Sequence, residues 1–149
     1  MLRGILSSLV FHATVRTLAT VTLVGVVMSP ATAATRTWTG AVNQVFGTVG
    51  NWSTGVPDSG DTALWNGSST ANLSISLAGA QAVKGLQLTS PGGAVSLGGS
   101  TLTLGSGGID MTAATQGLTI SSNLALGGGQ AWDVAAGQTL ALATGTFSR

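Results

Sequence analysis

The chain has 149 residues, enough for one domain, and a formal net charge of +1. From residue 34 onward three basic residues stand against four aspartates, a net of −1 with no basic patch, so nucleic acid is not an expected partner. Cysteine is absent, which excludes disulfide bonds and thiolate metal sites.

Residues 1–33 have the pattern of a secretory signal peptide. Two arginines precede TLATVTLVGVVM, a short apolar run at residues 17–28. The SPATA stretch that follows supplies a small-residue A-x-A site, which predicts cleavage between Ala33 and Ala34. An uncleaved anchor helix is the alternative, although the apolar run is short for a membrane span.

Cleavage there would change the chemistry that the chain can perform. It would remove His12, the one histidine, and the sequence also contains no glutamate and no tyrosine. A Ser-His-Asp triad, a zinc site of the usual type and a pair of catalytic glutamates are then excluded. We therefore expect no catalytic residue, no resident metal and no cofactor.

Residues 34–72 are predicted to form an N-terminal cap. Within them VPDSG (56–60) has the composition of a tight turn. Asp61 is expected to accept hydrogen bonds from backbone N–H groups of the same loop. A Ca²⁺ loop built on Asp58 and Asp61 is the weaker interpretation, because two carboxylates lack the further spaced oxygens of an EF-type loop.

Most large aromatic residues lie in the same cap region, ahead of the regular strands. They could cover the first rung of a β-fold with apolar rings, and in that case they are buried. They could instead form a platform on which sugar rings stack, and in that case at least two tryptophans are exposed side by side. The residues are Trp38, Phe46, Trp52 and Trp65.

Residues 73–149 contain nine short alternations in which two apolar residues flank a small or polar one. This period of two indicates strands with one buried face and one solvated face. Turns rich in Gly and Ser separate them. The nine segments are LSISL, GLQLT, AVSLG, TLTLG, GIDMT, GLTIS, NLALG, AWDVA and TLALA.

Every third strand repeats at a spacing of 22 or 23 residues. Leu86 returns as Ile109 and then as Trp132 in equivalent positions, for example. Three strands per coil in constant register predict an all-β, right-handed parallel β-helix (a β-solenoid) of about three coils under an N-terminal aromatic cap. The alternative is an antiparallel β-sandwich, which also uses short and evenly spaced strands.

Asp110 and Asp133 are the weak candidates for a metal site. They occupy the same outward position 23 residues apart, so the stacked fold would place them on neighbouring rungs. Such a pair could attract Ca²⁺, as in a polysaccharide lyase-like β-helix enzyme. A solvated acidic face is the favoured interpretation, because two Asp and one Lys are too few for that chemistry.

Three stretches carry a resemblance to a known family: TWTG (37–40), NWSTGVPDSGDTALW (51–65) and GLTISSNLALGGGQAWDVAAGQTLAL (117–142). The chain resembles the N-terminal passenger segment of bacterial autotransporter-associated β-strand repeat proteins. The resemblance implies an extracellular or surface-exposed β-helix without known catalytic residues. A Q-x-W-x-V…G-x-x-L pattern of that family is carried here by Gln130, Trp132, Val134, Gly137 and Leu140.

Members of this family usually continue for many more coils and end in an outer-membrane barrel or a sorting tail. The present sequence ends at GTFSR, after the ninth strand. We therefore expect a fragment that continues covalently into a longer passenger or a translocator.

The sequence thus predicts a non-enzymatic structural segment that is secreted or displayed on the bacterial cell surface. A carbohydrate-binding or adhesive module, with a surface polysaccharide as partner, is the first alternative. A polysaccharide lyase-like enzyme is the less favoured one.

Overall fold

A computed structural model describes residues 32–143 and 145–149 of the chain. The predicted signal peptide, except for its last two residues, lies outside the described residues. The described part has one 3₁₀ turn, Val49–Asn51, and none of its helices is long and apolar enough to cross a membrane. Its strands are β1 Thr35–Thr37, β2 Thr62–Trp65, β3 Ser74–Leu77, β4 Gln81–Leu88, β5 Val95–Gly99, β6 Thr101–Met111, β7 Leu118–Ile120, β8 Asn123–Leu126, β9 Trp132–Val134, β10 Leu140–Leu142 and β11 Phe147–Ser148.

The strands stack in parallel on three faces of a β-solenoid. Face A contains β1, β2, residues 85–88 of β4, residues 108–111 of β6, and β9. Face B contains β3, β5, β7 and β10. Face C contains the first halves of β4 and β6, followed by β8 and β11. From β2 onward the chain visits faces A, B and C in turn, so each of these turns adds one strand to every face.

The predicted β-solenoid is confirmed, and the antiparallel sandwich is wrong. All pairings between these strands are parallel, and the antiparallel contact in the described residues is an isolated bridge between Trp38 and Trp52. The predicted register also holds, since Leu86 pairs with Ile109 and Ile109 pairs with Trp132. Each of the nine predicted segments contains a strand or part of one.

The solenoid has about five turns rather than the three predicted. Face A has five rungs, and its first two are β1 and β2, which come from the segment expected to be only a cap. The sequence of β1, TRT, contains no apolar residue, whereas TALW of β2 does alternate two buried apolar residues, Ala63 and Trp65, and pairs with β4 at the regular spacing of 23 residues. β1 and β2 pair at a spacing of 27 residues, because a long loop lies between them, and this spacing hides the first rung.

The core is a set of apolar columns that run along the solenoid. In strands such as β3 and β7, buried residues alternate with solvent-facing ones, as a period of two requires. Small turns let the chain pass from face to face within a few residues. Gly108 is the clearest case, because its φ is +64° and a Cβ there would overlap the carbonyl oxygen of Ala131 on the next turn.

Candidate functional site

The three predicted tryptophans form one cluster at the N-terminal end of the solenoid. The ring of Trp52 lies edge-to-face against the rings of Trp38 at 5.1 Å and Trp65 at 5.8 Å between centroids. Phe46 contacts the same ring at 4.8 Å. Such tilted pairs are the preferred geometry of packed aromatic side chains.

This aromatic cluster is inside the protein. Trp38 and Trp65 are fully buried and Trp52 is 4% exposed. The indole nitrogens of Trp38 and Trp52 donate to the carbonyls of Ala71 (3.1 Å) and Phe46 (2.7 Å), so they face backbone and not solvent. A sugar cannot stack on these rings, and the burial is the one that the cap interpretation requires.

A buried amide holds the loop that closes over the cluster. The side chain of Asn51 is fully buried, and its Oδ1 accepts hydrogen bonds from the backbone N–H groups of Val42 and Asn43. Its Nδ2 donates to Asn43 Oδ1 and to the Val45 carbonyl, both at 2.9 Å. The sequence gives no signal for this role, because the partners come from a loop without regular periodicity.

Asp61 has a larger role than the local turn interaction predicted for it. It accepts the predicted bond from the Asp58 backbone N–H, at 3.4 Å, through Oδ2. The same oxygen forms a 2.9 Å ion pair with Arg36, and Oδ1 accepts the N–H of Ala34 at 2.9 Å. Burial opposes ionisation of Asp61, but the bonds from Ala34, Arg36 and Asp58 outweigh it and lower its pKa.

These contacts also decide between the turn and Ca²⁺ interpretations of the pair. Asp61 directs both oxygens to protein donors, and its side chain is 6% exposed. Asp58 is exposed and uses Oδ1 to accept the Gly60 N–H at 2.8 Å, which closes the predicted turn. The two carboxylates therefore both stabilise the loop through protein donors.

Asp110 and Asp133 lie on neighbouring rungs of face A, as their spacing predicts. Asp110 Oδ1 accepts hydrogen bonds from the Thr112 hydroxyl (2.7 Å) and N–H (3.0 Å), and Oδ2 accepts one from Gln87 (3.0 Å). The bonds from Thr112 are the main reason why the pKa of Asp110 is lowered. Within residues 32–143 and 145–149, no group of three or more His, Cys, Asp or Glu comes together to hold a metal ion.

An open groove lies on face B and was not predicted. It has a volume of about 250 Å³, and no charged side chain lines it. Its floor carries outward hydroxyls from successive rungs, with Ser74 and Ser96 Oγ atoms 3.3 Å apart. The groove is lined by Gln44, Ser74, Ile75, Ser76, Ser96, Gly98 and Ser121.

A loop of the cap region, residues 44–46, forms one wall of this hydroxyl groove. The backbone of residues 44–46 pairs with Ser76, which accepts from the Phe46 N–H at 3.0 Å and donates to the Gln44 carbonyl at 2.8 Å. Gly98 leaves space in the floor of the groove, because a side chain there would crowd the Ser121 hydroxyl, with its Cβ only 2.9 Å away. Outward Ser at alternate positions of LSISL was the available signal, but the wall comes from a segment without a strand pattern.

Among protein-family models, curated proteins and solved structures, none matches this chain.

Proposed function

We propose that the chain is a non-enzymatic structural segment of a secreted or surface-displayed β-solenoid, as the resemblance to autotransporter passengers implies. The observation that carries the proposal is the stack of parallel rungs around a continuous apolar core. Such a stack is quasi-one-dimensional and makes a long, regular outer surface from short repeats. The outward positions of face B are mostly uncharged and hydroxyl-bearing, which suits a passive, hydrated surface.

The arrangement of the carboxylates supports a structural role over a polysaccharide lyase-like activity. Asp110 already accepts three hydrogen bonds from its neighbours, and its partner Asp133 is a single exposed carboxylate. A Ca²⁺ site in a β-helix needs more oxygen ligands than these two residues supply.

The experiment is expression of the full gene with its own leader in a Gram-negative host, followed by fractionation. We expect the product outside the inner membrane and, when it is displayed, sensitive to protease added to intact cells. The control is Leu23→Arg, which places a charge in the apolar run of the leader and should retain the chain inside the cell. Equal cytoplasmic retention of both forms would contradict the proposal.

A second candidate function is adhesion to a neutral surface polysaccharide through the hydroxyl groove on face B. The specific observation is the row of serine hydroxyls from three successive rungs beside the Gln44 amide. These groups both donate and accept hydrogen bonds, as sugar hydroxyls do, and they offer no charge for an ionic ligand.

This second candidate is tested by binding of the exported protein to immobilised neutral and acidic polysaccharides. We expect the Ser74→Val, Ser96→Val pair of substitutions to weaken retention on the neutral polymers by about tenfold, as expected for two lost hydrogen bonds. Thr103→Val, on face C, is the matched control and should leave binding unchanged. Retention that is insensitive to the serine substitutions would exclude the groove as the binding site.

A further inference from the structure

A nearly buried carboxylate faces the residue that is predicted to become the first of the mature chain. Oδ1 of Asp61 lies 2.9 Å from the backbone nitrogen of Ala34. The side chain of Asp61 is 6% exposed, and Oδ2 is 2.9 Å from Arg36 Nε. Oδ1 therefore has one close polar partner among the described residues, and that partner is the nitrogen that leader cleavage would release.

The position of this nitrogen is determined by the first rung of the solenoid. The Ala34 carbonyl accepts the N–H of Thr62 at 2.8 Å, immediately before β1 pairs in parallel with β2. Arg36, which binds the other carboxylate oxygen, is part of the same strand. The nitrogen of Ala34 is thus held beside Asp61 by backbone pairing on one side and by the neighbouring strand residue on the other.

We propose that cleavage after Ala33 produces an α-ammonium group on Ala34 that forms an ion pair with Asp61 and locks the first strand onto the solenoid. The inference rests on the proposed secretion. In the cleavage step a leader peptidase adds one water to the Ala33–Ala34 amide bond. The C–N bond breaks, Ala33 takes the water oxygen as part of its new carboxylate, and the nitrogen of Ala34 gains the two protons of the water, so that it carries three at neutral pH.

The ion pair strengthens a contact that already exists. A hydrogen bond between two charged groups is roughly twice as strong as one between neutral groups. Asp61 has Arg36 as its one salt-bridge partner in the described residues, and the α-ammonium adds a second cation to the same carboxylate. Processing would therefore stabilise the first rung after the leader has been removed.

The proposal predicts a pH dependence with a defined direction. The charged groups around the new terminus are Asp61, which favours the ammonium form, Arg36, which opposes it, and the exposed Asp58. Asp61 is the nearest, so the pKa of the α-ammonium should rise above its ordinary value of about 7.7–8.0. The added stability is then complete below pH of about 7.7 and is lost as the pH rises through the higher pKa of the folded protein.

The test uses protein exported from the full-length gene. Intact mass and N-terminal sequencing identify the first residue, and we expect Ala34. Reductive methylation with ¹³C-formaldehyde then labels the α-amine while keeping its charge, and NMR follows its titration. The label on Lys84 is the internal reference, and the same protein unfolded in urea supplies the ordinary value.

We expect the folded protein to bind the α-amine proton at least tenfold more tightly than the unfolded protein does. Asp61→Asn should abolish this difference, and the matched control Asp58→Asn should keep it. If the Asp61 variant does not fold, the comparison between the folded unsubstituted protein and the same protein unfolded in urea still tests the proposal.

Two results overturn the inference and leave secretion intact: a product that begins at another residue, or an Ala34 terminus with equal proton affinity in folded and unfolded protein. A product that keeps residues 1–33 and stays in the cytoplasm overturns the inference together with the proposed function.

Discussion

The two ends of the solenoid are built from similar apolar residues but differ in burial. At the N-terminal end the aromatic cluster covers the first rungs, and Trp38 and Trp65 are fully buried. On the last turn Leu142 is 48% and Phe147 is 56% exposed. The described residues place no rung on the far side of β9, β10 or β11.

A single column of the core shows what causes the difference. Leu97, Ile120 and Leu142 are register partners on face B. The first two are at most 1% exposed, whereas the third is 48% exposed. Burial in a solenoid therefore depends on a neighbouring rung on each side and not on the residue type alone.

The largest effect should come from the centre of the aromatic cluster. Trp52→Ala removes the ring that contacts Trp38, Phe46 and Trp65, and it leaves a large cavity. We expect a loss of about 3–5 kcal/mol in the free energy of unfolding, measured by urea denaturation.

Trp132→Ala is the matched control from the last turn, where the ring is only half-buried and contacts Phe147. Its cost should be less than half that of Trp52→Ala. Equal costs would show that the two ends are equally well covered in solution.

The second prediction compares a Leu→Ala substitution on an inner rung with the same substitution on the last rung of one core column. Leu97→Ala should cost about 2–5 kcal/mol, because the residue is fully buried between two rungs. Leu142→Ala should cost about 1 kcal/mol or less, since the side chain already contacts water. Thermal unfolding of both variants checks the difference, and a large loss for Leu142→Ala would contradict the exposed end.

The third prediction concerns turns between rungs. Gly108→Ala should cost about 1–3 kcal/mol, because φ is +64° and the methyl group would overlap the Ala131 carbonyl of the neighbouring turn. Gly129→Ala is the control, because a Cβ there meets nothing within 4 Å. Urea midpoints measure both, and a neutral Gly108→Ala would mean that adjacent turns are less tightly stacked.

The fourth prediction is acid sensitivity at the N-terminal end. Because the pKa of Asp61 is lower in the folded protein, its contribution is complete above the unfolded value of about 3.9 and is lost as the pH falls through the folded value. Melting temperature should therefore decrease below pH of about 4, and Asp61→Asn should flatten this decrease. Asp58→Asn is the control for removal of a nearby charge. If it flattened the decrease equally, the assignment of the acid sensitivity to Asp61 would be wrong.

The smallest effect is expected on the acidic pair of face A. Asp133→Asn removes one of two like charges on neighbouring rungs, and it should raise the free energy of unfolding by about 0.2–1 kcal/mol. Millimolar Ca²⁺ should leave the melting temperature of the unsubstituted protein unchanged, because the oxygens of Asp110 are engaged by Thr112 and Gln87. A rise of several degrees with Ca²⁺ would restore the metal-site hypothesis.

The alternation and the 22–23-residue spacing were sufficient to predict the parallel solenoid and its register. Columns such as Val95, Leu118 and Leu140 could be read directly, because every strand repeats the same local pattern at a nearly constant distance. The first rung could not be predicted in this way. Thr35 pairs with Thr62 across a loop that makes the spacing 27 residues, and no local pattern in the sequence records that distance.

The candidate sites likewise separate into positions that the sequence spacing predicted and contacts that only the tertiary structure shows. The neighbouring positions of Asp110 and Asp133 followed from spacing alone, because stacking converts a constant spacing into adjacency. The burial of the tryptophans, the Asn51 network and the contact between Asp61 and Ala34 were decided only by the tertiary structure. The contact between Asp61 and Ala34 joins segments 27 residues apart, whereas the Asn51 network lies within one loop. None of these contacts follows the repeat, so their physical cause is the closure of an irregular loop over the end of a regular stack.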